Sequence, residues 1–230
     1  RRYNRPQSST SELLSSLVEL GLLHKDPYTR SYRLTPRAAV LGTAGQPEMV
    51  RDGRLMRLMD RVSAQTKLSV SLVGMVGLDS QVIVWRHGPR PSSCTRDLFG
   101  GCKEPLARNA AGQLMLSTVS PQRCDGMLRR LNAESDTAHK FAPADMNARI
   151  AALRGRPYVF GGTGFGSDTE SLCALIPNQP EDHPLVISLV YGRDDKVNTD
   201  SLLISLEQAM RACLPDPETF NVEALQKTAA

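Results

Sequence analysis

Small hydroxyl side chains line one side of the serine- and leucine-rich segment 6–23. At 100° per residue, its leucines and its polar residues fall on opposite sides of a helix: Leu13, Leu14, Leu17 and Leu20 against Ser8, Ser11, Glu12, Ser15 and Glu19. Serine forms helices less readily than Lys or Glu, but short hydroxyls allow a helix to approach base edges closely. Two interpretations fit this pattern, a helix that reads DNA and an ordinary amphipathic helix.

Positive charge is concentrated in the same part of the chain. Residues 1–45 hold seven Lys and Arg against three Asp and Glu, an excess equal to the net charge of +4 of the whole chain. Phosphate neutralisation by cations supplies most non-specific affinity for nucleic acid, so this excess favours the DNA interpretation. We expect the hydroxyl and amide side chains near bases and the cations near phosphates: Gln7, Ser8, Ser9, Ser11 and Ser15, with Arg1, Arg2, Arg5, Lys25, Arg30 and Arg33.

A hairpin is predicted directly after this helix. Gly21 has the position of a C-cap glycine, and two short strands follow, Leu22–Lys25 and Ser31–Leu34, around the turn Asp26–Arg30. A helix followed by a hairpin with basic residues near its tip predicts a winged helix-turn-helix over residues 1–45. Because the earlier helices of such a module do not precede Arg1, we expect a module truncated at its N-terminus.

Side chains that bind metals or form disulfides occur without the necessary spacing. The cysteines are odd in number and lack a CxxC pair, and the histidines are dispersed: Cys94, Cys102, Cys124, Cys173 and Cys213, with His24, His87, His139 and His183. This predicts reduced thiols in a cytoplasmic protein, without a disulfide framework or a metal site. No apolar run approaches the roughly 18 residues of a membrane span.

Catalytic motifs are also missing from the sequence. Neither a GxSxG elbow nor a Cys with a positioned His can be recognised, so we do not expect an enzyme. Redox sensing through Cys102 or Cys173 remains an alternative. The glycine-rich run Gly161–Gly166 precedes a strand and lacks a following Gly-Lys-Ser/Thr, which favours a turning loop over a phosphate-binding loop. No cofactor is predicted.

The elements after residue 45 form a linker helix and a larger domain. In the linker, residues 46–67, an apolar stripe is formed by Leu55, Leu58, Met59 and Val62; it suits either packing on another domain or copy, or a plain domain helix. Over residues 68–230 we predict an α+β domain with a mainly antiparallel sheet. Its predicted strands are 69–75, 81–85, 158–160, 171–176 and 185–191, and its predicted helices lie near 109–117, 121–132, 143–154 and 200–213.

The chain resembles the isocitrate-lyase-regulator (IclR) family of bacterial transcription factors. The resemblance is carried by four stretches: Pro6–Ser9 running into Leu17–Leu23, then Tyr32–Pro36, Pro105–Gly112 and Pro184–Leu189. It implies a winged helix-turn-helix, a linker helix and a GAF-like effector-binding domain. It also implies a double-stranded DNA operator, a small-molecule effector and assembly as a homodimer or homotetramer.

The resemblance further implies an effector pocket around the helix that begins near Asn109. Its expected residues are Arg96, Asn109, Ala110, Ala111, Thr163, Ser171, Cys173, Leu189 and Tyr191. If Asn109 caps this helix, the first free N–H groups suit a carboxylate, and Arg96 could add a bidentate contact.

Two departures from the family pattern concern the ligand. Members that sense small hydrophilic acids resemble one another in having serines where this chain has Leu189 and Tyr191. The match to the family around Thr163 is also weak. Residues 185, 187, 189 and 191 share one strand face, so this wall is expected to be more apolar. The sequence therefore predicts a carboxylate effector with an apolar or aromatic body.

Overall fold

The computed structural model describes residues 7–38, 40, 48–89, 95, 98–179 and 183–214 (Gln7 and Glu48 through the backbone alone). Contacts divide the chain into two units, Arg1–Arg54 and Leu55–Ala230. The first unit contains α1 (Gln7–Glu19), the antiparallel strands β1 (Leu23–Lys25) and β2 (Tyr32–Leu34), and the short helix α2 (Glu48–Arg51). The predicted helix and hairpin are thus present.

Gly21 ends α1 as the sequence predicts. The Gly21 N–H donates to the carbonyl of Val18 at 2.9 Å and the Leu22 N–H donates to that of Leu17 at 2.9 Å, and Gly21 has a φ of 69°. These bonds form a Schellman motif, in which a glycine adopts the left-handed conformation at no steric cost. The motif turns the chain directly into β1.

The second unit is an α+β domain with one six-stranded antiparallel sheet. Its elements are α3 (Arg54–Thr66, within this unit from Leu55), β3 (Ser69–Val76), β4 (Asp79–Arg86), β5 (Lys103–Pro105), α4 (Ala110–Thr118), α5 (Pro121–Glu134), α6 (Pro143–Leu153), β6 (Tyr158–Gly162), β7 (Thr169–Leu175), β8 (Leu185–Gly192) and α7 (Thr199–Cys213). The strand order is β5-β4-β3-β8-β7-β6. Of the six strands of this sheet, the sequence missed β5, which has three residues.

Both faces of the central strands are buried. One face, called here the α4 face, carries Val73, Cys173 and Val186, which join the side chains of α4, α5 and α6 in one hydrophobic cluster. The alternate residues of the same strands, including Leu172 and Ile187, are buried on the opposite face. Helix α7 lies against β7.

The sheet curls until its two edge strands approach each other. Glu104 lies on β5 at one edge, and Phe165 follows β6 at the other edge. The Phe165 N–H nevertheless donates to Glu104 Oε2 at 2.8 Å. This contact closes the curl next to the start of α4.

The linker helix predicted within residues 46–67 is two helices. Gly53, with a φ of 76°, separates α2 from α3. The apolar stripe of α3 is completely buried, because Leu55, Leu58, Met59 and Val62 are each 0% exposed. Of the two interpretations of this stripe, burial in a single chain favours the plain domain helix.

Candidate functional site

A row of small polar side chains crosses the α4 face. Ser71, Ser188 and Cys173 lie opposite one another on β3, β8 and β7, and Ser171 lies two residues before Cys173. All four are at most 2% exposed. The Cys173 Sγ lies 3.2 Å from Ser171 Oγ and 3.3 Å from Ser188 Oγ. Buried polar atoms require partners, and Ser171, Cys173 and Ser188 provide them for one another.

Leu189 and Tyr191 do not belong to this row. Register pairs Leu189 with Leu172 and Tyr191 with Glu170, so both side chains lie on the face opposite Cys173. The residues of β8 that share the face of Cys173 include Ser188 and Val190, which flank Leu189. The sequence-based assignment is therefore one residue out of register, and the predicted apolar wall lies on the other side of the sheet.

Asn109 organises the start of α4. Its Oδ1 accepts from the Gly112 N–H at 2.7 Å, which confirms the predicted N-cap. Its Nδ2 donates to Ser80 Oγ at 2.6 Å and to Glu104 Oε2 at 3.2 Å. Asn109 is 1% exposed. Because this cap satisfies Gly112, the amides of Ala110 and Ala111 are the first-turn donors that lack an intrahelical acceptor.

The loop after β6 is held against Asn109 in a left-handed conformation. Gly164, Phe165 and Gly166 have φ values of 78°, 55° and 72°. A Cβ at Gly164 would lie 2.7 Å from Asn109 Cβ, so only glycine fits there. The second half of the glycine-rich run is therefore a tight turn beside the start of α4, as the sequence predicts, whereas Gly161 and Gly162 belong to β6.

Thr163 contributes an unsatisfied hydroxyl to this region. It is 7% exposed, and its Oγ1 has no hydrogen-bond partner among the described residues. Gly161, two residues before Thr163, and Gly164, directly after it, pack on the start of α4 at Ala110 and Asn109. A buried hydroxyl without a partner loses its hydration without compensation, which is typical of a site completed by a ligand or a water molecule.

The buried thiols are poorly suited to redox chemistry. Burial raises the pKa of the Cys173 thiol, although hydrogen bonds from Ser171 and Ser188 oppose that effect. Burial also raises the pKa of Cys124. Since the thiolate is the reactive species, both groups are less nucleophilic than a free cysteine at neutral pH. This disfavours Cys173 as a redox sensor; Cys102 is half-buried.

The first unit presents the predicted hydroxyls and cations to solvent. Ser8, Ser9, Ser11 and Ser15 are exposed along α1, and Lys25, Arg30 and Arg33 are exposed on the hairpin. Asp26 orders the hairpin turn by accepting N–H groups from Tyr28 and Thr29 at 2.8 and 3.0 Å. These bonds, that of Thr29 first, hold the pKa of Asp26 below its ordinary value.

Some predicted site residues lie outside the part of the chain that the structure describes. They are Arg1, Arg2, Arg5 and Arg96, and the side chain of Gln7. Conversely, sequence reasoning missed Ser71, Ser188 and Glu104.

The described residues contain no cluster of three His, Cys, Asp or Glu that could hold a metal ion. None of the described helices combines the length and apolar character required to span a membrane.

Comparison with known proteins gives similarity in structure alone. No family model and no curated protein sequence matches the chain. An IclR regulator from Alicyclobacillus acidocaldarius is 17% identical, with a TM-score of 0.68 over 95% of this chain and 87% of that chain. An IclR homologue from Microbacterium hydrocarbonoxydans, complexed with 4-hydroxybenzoate, is 15% identical, with a TM-score of 0.64 over 90% and 87%.

The second unit has its own match. The effector domain of IclR from Acinetobacter sp. ADP1 is 19% identical, with a TM-score of 0.61 over 72% of this chain and 96% of that domain. Many further solved chains match as well. Over most of its length, this chain has the fold of the IclR-family transcriptional regulators.

Proposed function

We propose that the chain is a transcriptional regulator that binds double-stranded DNA through its first unit and a small carboxylate effector through its second. The observation that carries this proposal is the structural match over 90% or more of the chain to regulators of one family. An effector-responsive regulator of this kind acts as a homodimer or homotetramer, because a symmetric operator mirrors the symmetry of the protein.

The first unit has the chemistry of a DNA-binding module. The exposed serines of α1 are short enough for the helix to enter a major groove, and we assign Gln7, Ser8, Ser9, Ser11 and Ser15 to the base-reading face. The hairpin carries Lys25, Arg30 and Arg33 at positions suited to phosphates, and Arg1, Arg2 and Arg5 add three cations. The exposed serines of α1 and the exposed cations of the hairpin thus supply hydroxyl groups for bases and positive charge for phosphates.

Arg33→Gln is expected to weaken binding to all duplex sequences and to reduce the slope of log K against log salt by about one. DNA fragments recovered by the full-length protein supply the probe, and titrations from low to physiological salt supply the slope. Arg129→Gln, on α5 of the second unit, is the matched control and keeps the original slope. Gln7→Ala is expected to change the ranking of operator variants. Salt-independent binding, or no binding to any duplex, would contradict the proposal.

The proposed effector site lies between the start of α4 and the α4 face of the sheet. The amides of Ala110 and Ala111 suit a carboxylate, and Thr163, Ser171, Cys173 and Ser188 offer polar contacts. Trp85 and Phe165 pack against the same cluster as Cys173, and they can contact an apolar or aromatic body. The 4-hydroxybenzoate bound by the Microbacterium relative belongs to this ligand class. In this proposal Trp85 and Phe165 provide the apolar contacts that the sequence had assigned to Leu189 and Tyr191.

Thr163→Val is expected to stabilise the unliganded protein and weaken the ligand effect. Valine has the same shape but no hydroxyl, so the free energy of unfolding rises by about 1 kcal/mol. Thermal shifts with 4-hydroxybenzoate and benzoate measure how much each ligand stabilises the variant and the wild type. Thr118→Val is the control, because its Oγ1 donates to the Met115 carbonyl at 2.8 Å and its loss destabilises. A larger ligand-induced thermal shift in Thr163→Val than in the wild type would show that Thr163 is not part of the effector site.

A further inference from the structure

The two edges of the six-stranded sheet are protected very differently. Edge strand β5 has three residues, Lys103, Glu104 and Pro105, and its charge and proline are typical of a strand that avoids further pairing. Edge strand β6 has the sequence Tyr-Val-Phe-Gly-Gly, without charge or proline. Among the described strands, none pairs with its outer side. An unprotected aromatic edge of this kind is a template for another strand.

The register of β6 shows which backbone groups face outward. The Thr163 N–H donates to the Thr169 carbonyl at 3.0 Å, and the Leu175 N–H donates to the Pro157 carbonyl at 2.8 Å. In an antiparallel ladder every second residue makes such bonds, so Val159 and Gly161 also point toward β7. The N–H and C=O groups of Phe160 and Gly162 therefore point away from the sheet.

A groove of about 350 Å³ runs beside this edge. It lies between β6, the start of α4 and helix α6. Its apolar part is formed by Ala152, Leu153 and Val159, and Arg108 and Arg149 stand at its polar part. A strand added to β6 would direct alternate side chains into this groove, as in peptide recognition by strand addition.

The charge of the groove selects the occupant. Arg149 Nη2 donates to Gln113 Oε1 at 3.1 Å, and Gln113 Nε2 donates to the Ala107 carbonyl at 2.8 Å, which fixes the guanidinium without neutralising it. Arg108 Nε forms a long ion pair with Glu104 Oε1 at 3.9 Å, which is beyond hydrogen-bond distance, so Arg149 is the less neutralised of the two guanidinium groups. Pairing of β6 with a second copy would bring these arginines together, and β6 carries no carboxylate to offset them.

We propose that the outer edge of β6 binds an extended peptide segment that carries acidic side chains. The peptide backbone pairs with Phe160 and Gly162, its apolar side chains enter the groove, and its carboxylates contact Arg108 and Arg149. Such a segment would belong to a partner protein. The groove borders the proposed effector site, since Asn109 and Ala110 line it, but none of Ser171, Cys173 and Ser188 does.

The probe is a nine-residue peptide with blocked ends, added to the full-length protein; every second residue is threonine, and the residues between them, which share one face, are valine and glutamate. Hydrogen exchange followed by NMR is expected to show new protection of the Phe160 and Gly162 amides. The amides of Val159 and Gly161, already bonded to β7, should not change. A matched peptide with lysine in place of glutamate should give no protection.

Two variant pairs separate backbone pairing from charge. Gly162→Pro removes an outward N–H, which edge strands tolerate, and is expected to weaken binding about tenfold, whereas Gly162→Ala keeps the N–H and has open space for its Cβ. Arg149→Gln is expected to weaken binding about tenfold, and Arg129→Gln is its control. Equal binding of the lysine peptide, competition by benzoate or phosphate alone, or self-association through β6 would overturn the proposal.

Discussion

Asn109→Asp is expected to lower the free energy of unfolding at neutral pH by about 3 kcal/mol or more. The introduced carboxylate would still cap α4, because Asp accepts the Gly112 N–H as well as Asn does. It cannot donate, however, and Asn109 Nδ2 now donates to Ser80 Oγ and to Glu104 Oε2. The substitution would therefore replace a hydrogen bond to a carboxylate by repulsion between the introduced, buried carboxylate and the half-buried carboxylate of Glu104.

The pH dependence identifies the cause of this loss. Repulsion and burial raise the pKa of the introduced carboxyl above its unfolded value. The penalty is then present above that raised pKa and is relieved as pH falls through it, because a protonated carboxyl can again donate. Urea unfolding between pH 7 and pH 4 measures the difference from the wild type, which should narrow on acidification.

Asn198→Asp is the matched control for this prediction. Asn198 caps α7 by accepting the Ser201 N–H at 2.9 Å, and its exposed side chain makes no contact like that of Asn109 with Glu104. A carboxylate at an exposed helix N-terminus is neutral or slightly stabilising. Similar losses in the two variants, or a loss in Asn109→Asp that does not depend on pH, would contradict the proposed role of Glu104.

Local signals in the sequence predicted much of the fold. The cap at Asn109, the glycine at Gly21 and the proline at Pro121 each act through backbone groups within a few residues, so the corresponding helix ends are correctly predicted. The hairpin of β1 and β2 depends on the turn after Asp26, which is also local. Elements of this kind need no knowledge of the tertiary structure.

The face of the sheet to which each side chain of β8 points could not be predicted from the sequence. Residues Val186 to Val190 are all buried, since helices cover both faces of the central strands. A strand buried on both faces lacks the alternation that would reveal its register, and a shift of one residue exchanges the two faces. The sequence alone therefore could not show that Leu189, expected in the pocket with Cys173, points to the opposite face.

Contacts that close the curled sheet were also beyond sequence reasoning. The bond between Phe165 N–H and Glu104 joins residues 61 positions apart, and β5 is too short to show a periodic pattern. The role of Glu104 depends on the curl of the sheet, which arises from the pairing of six strands. The proposed effector site therefore combines a locally predictable helix cap with a partner that only the tertiary fold supplies.

Gly112→Ala is expected to be among the most destabilising single substitutions in the chain. Gly112 lies in the first turn of α4, and a Cβ there would lie 2.2 Å from the carbonyl oxygen of Leu106 and 2.7 Å from its Cα. Both are backbone atoms, so no side-chain rotation can relieve the clash. We expect a loss of about 3 kcal/mol or more, and a fall in Tm of about 6–12 °C.

Gly126→Ala on α5 distinguishes this clash from the general effect of alanine in a helix. Nothing lies within 4 Å of a Cβ at Gly126, so the substitution should raise the free energy of unfolding by about 0.5–1 kcal/mol. Urea and thermal unfolding are therefore expected to show that the free energy of unfolding falls in Gly112→Ala and rises in Gly126→Ala. Because relief of the clash moves α4 away from Leu106, Gly112→Ala should also displace Asn109 and abolish the thermal shift caused by 4-hydroxybenzoate. An unchanged thermal shift would mean that the ligand does not depend on the start of α4, which would contradict the proposed effector site even if the loss of stability is observed.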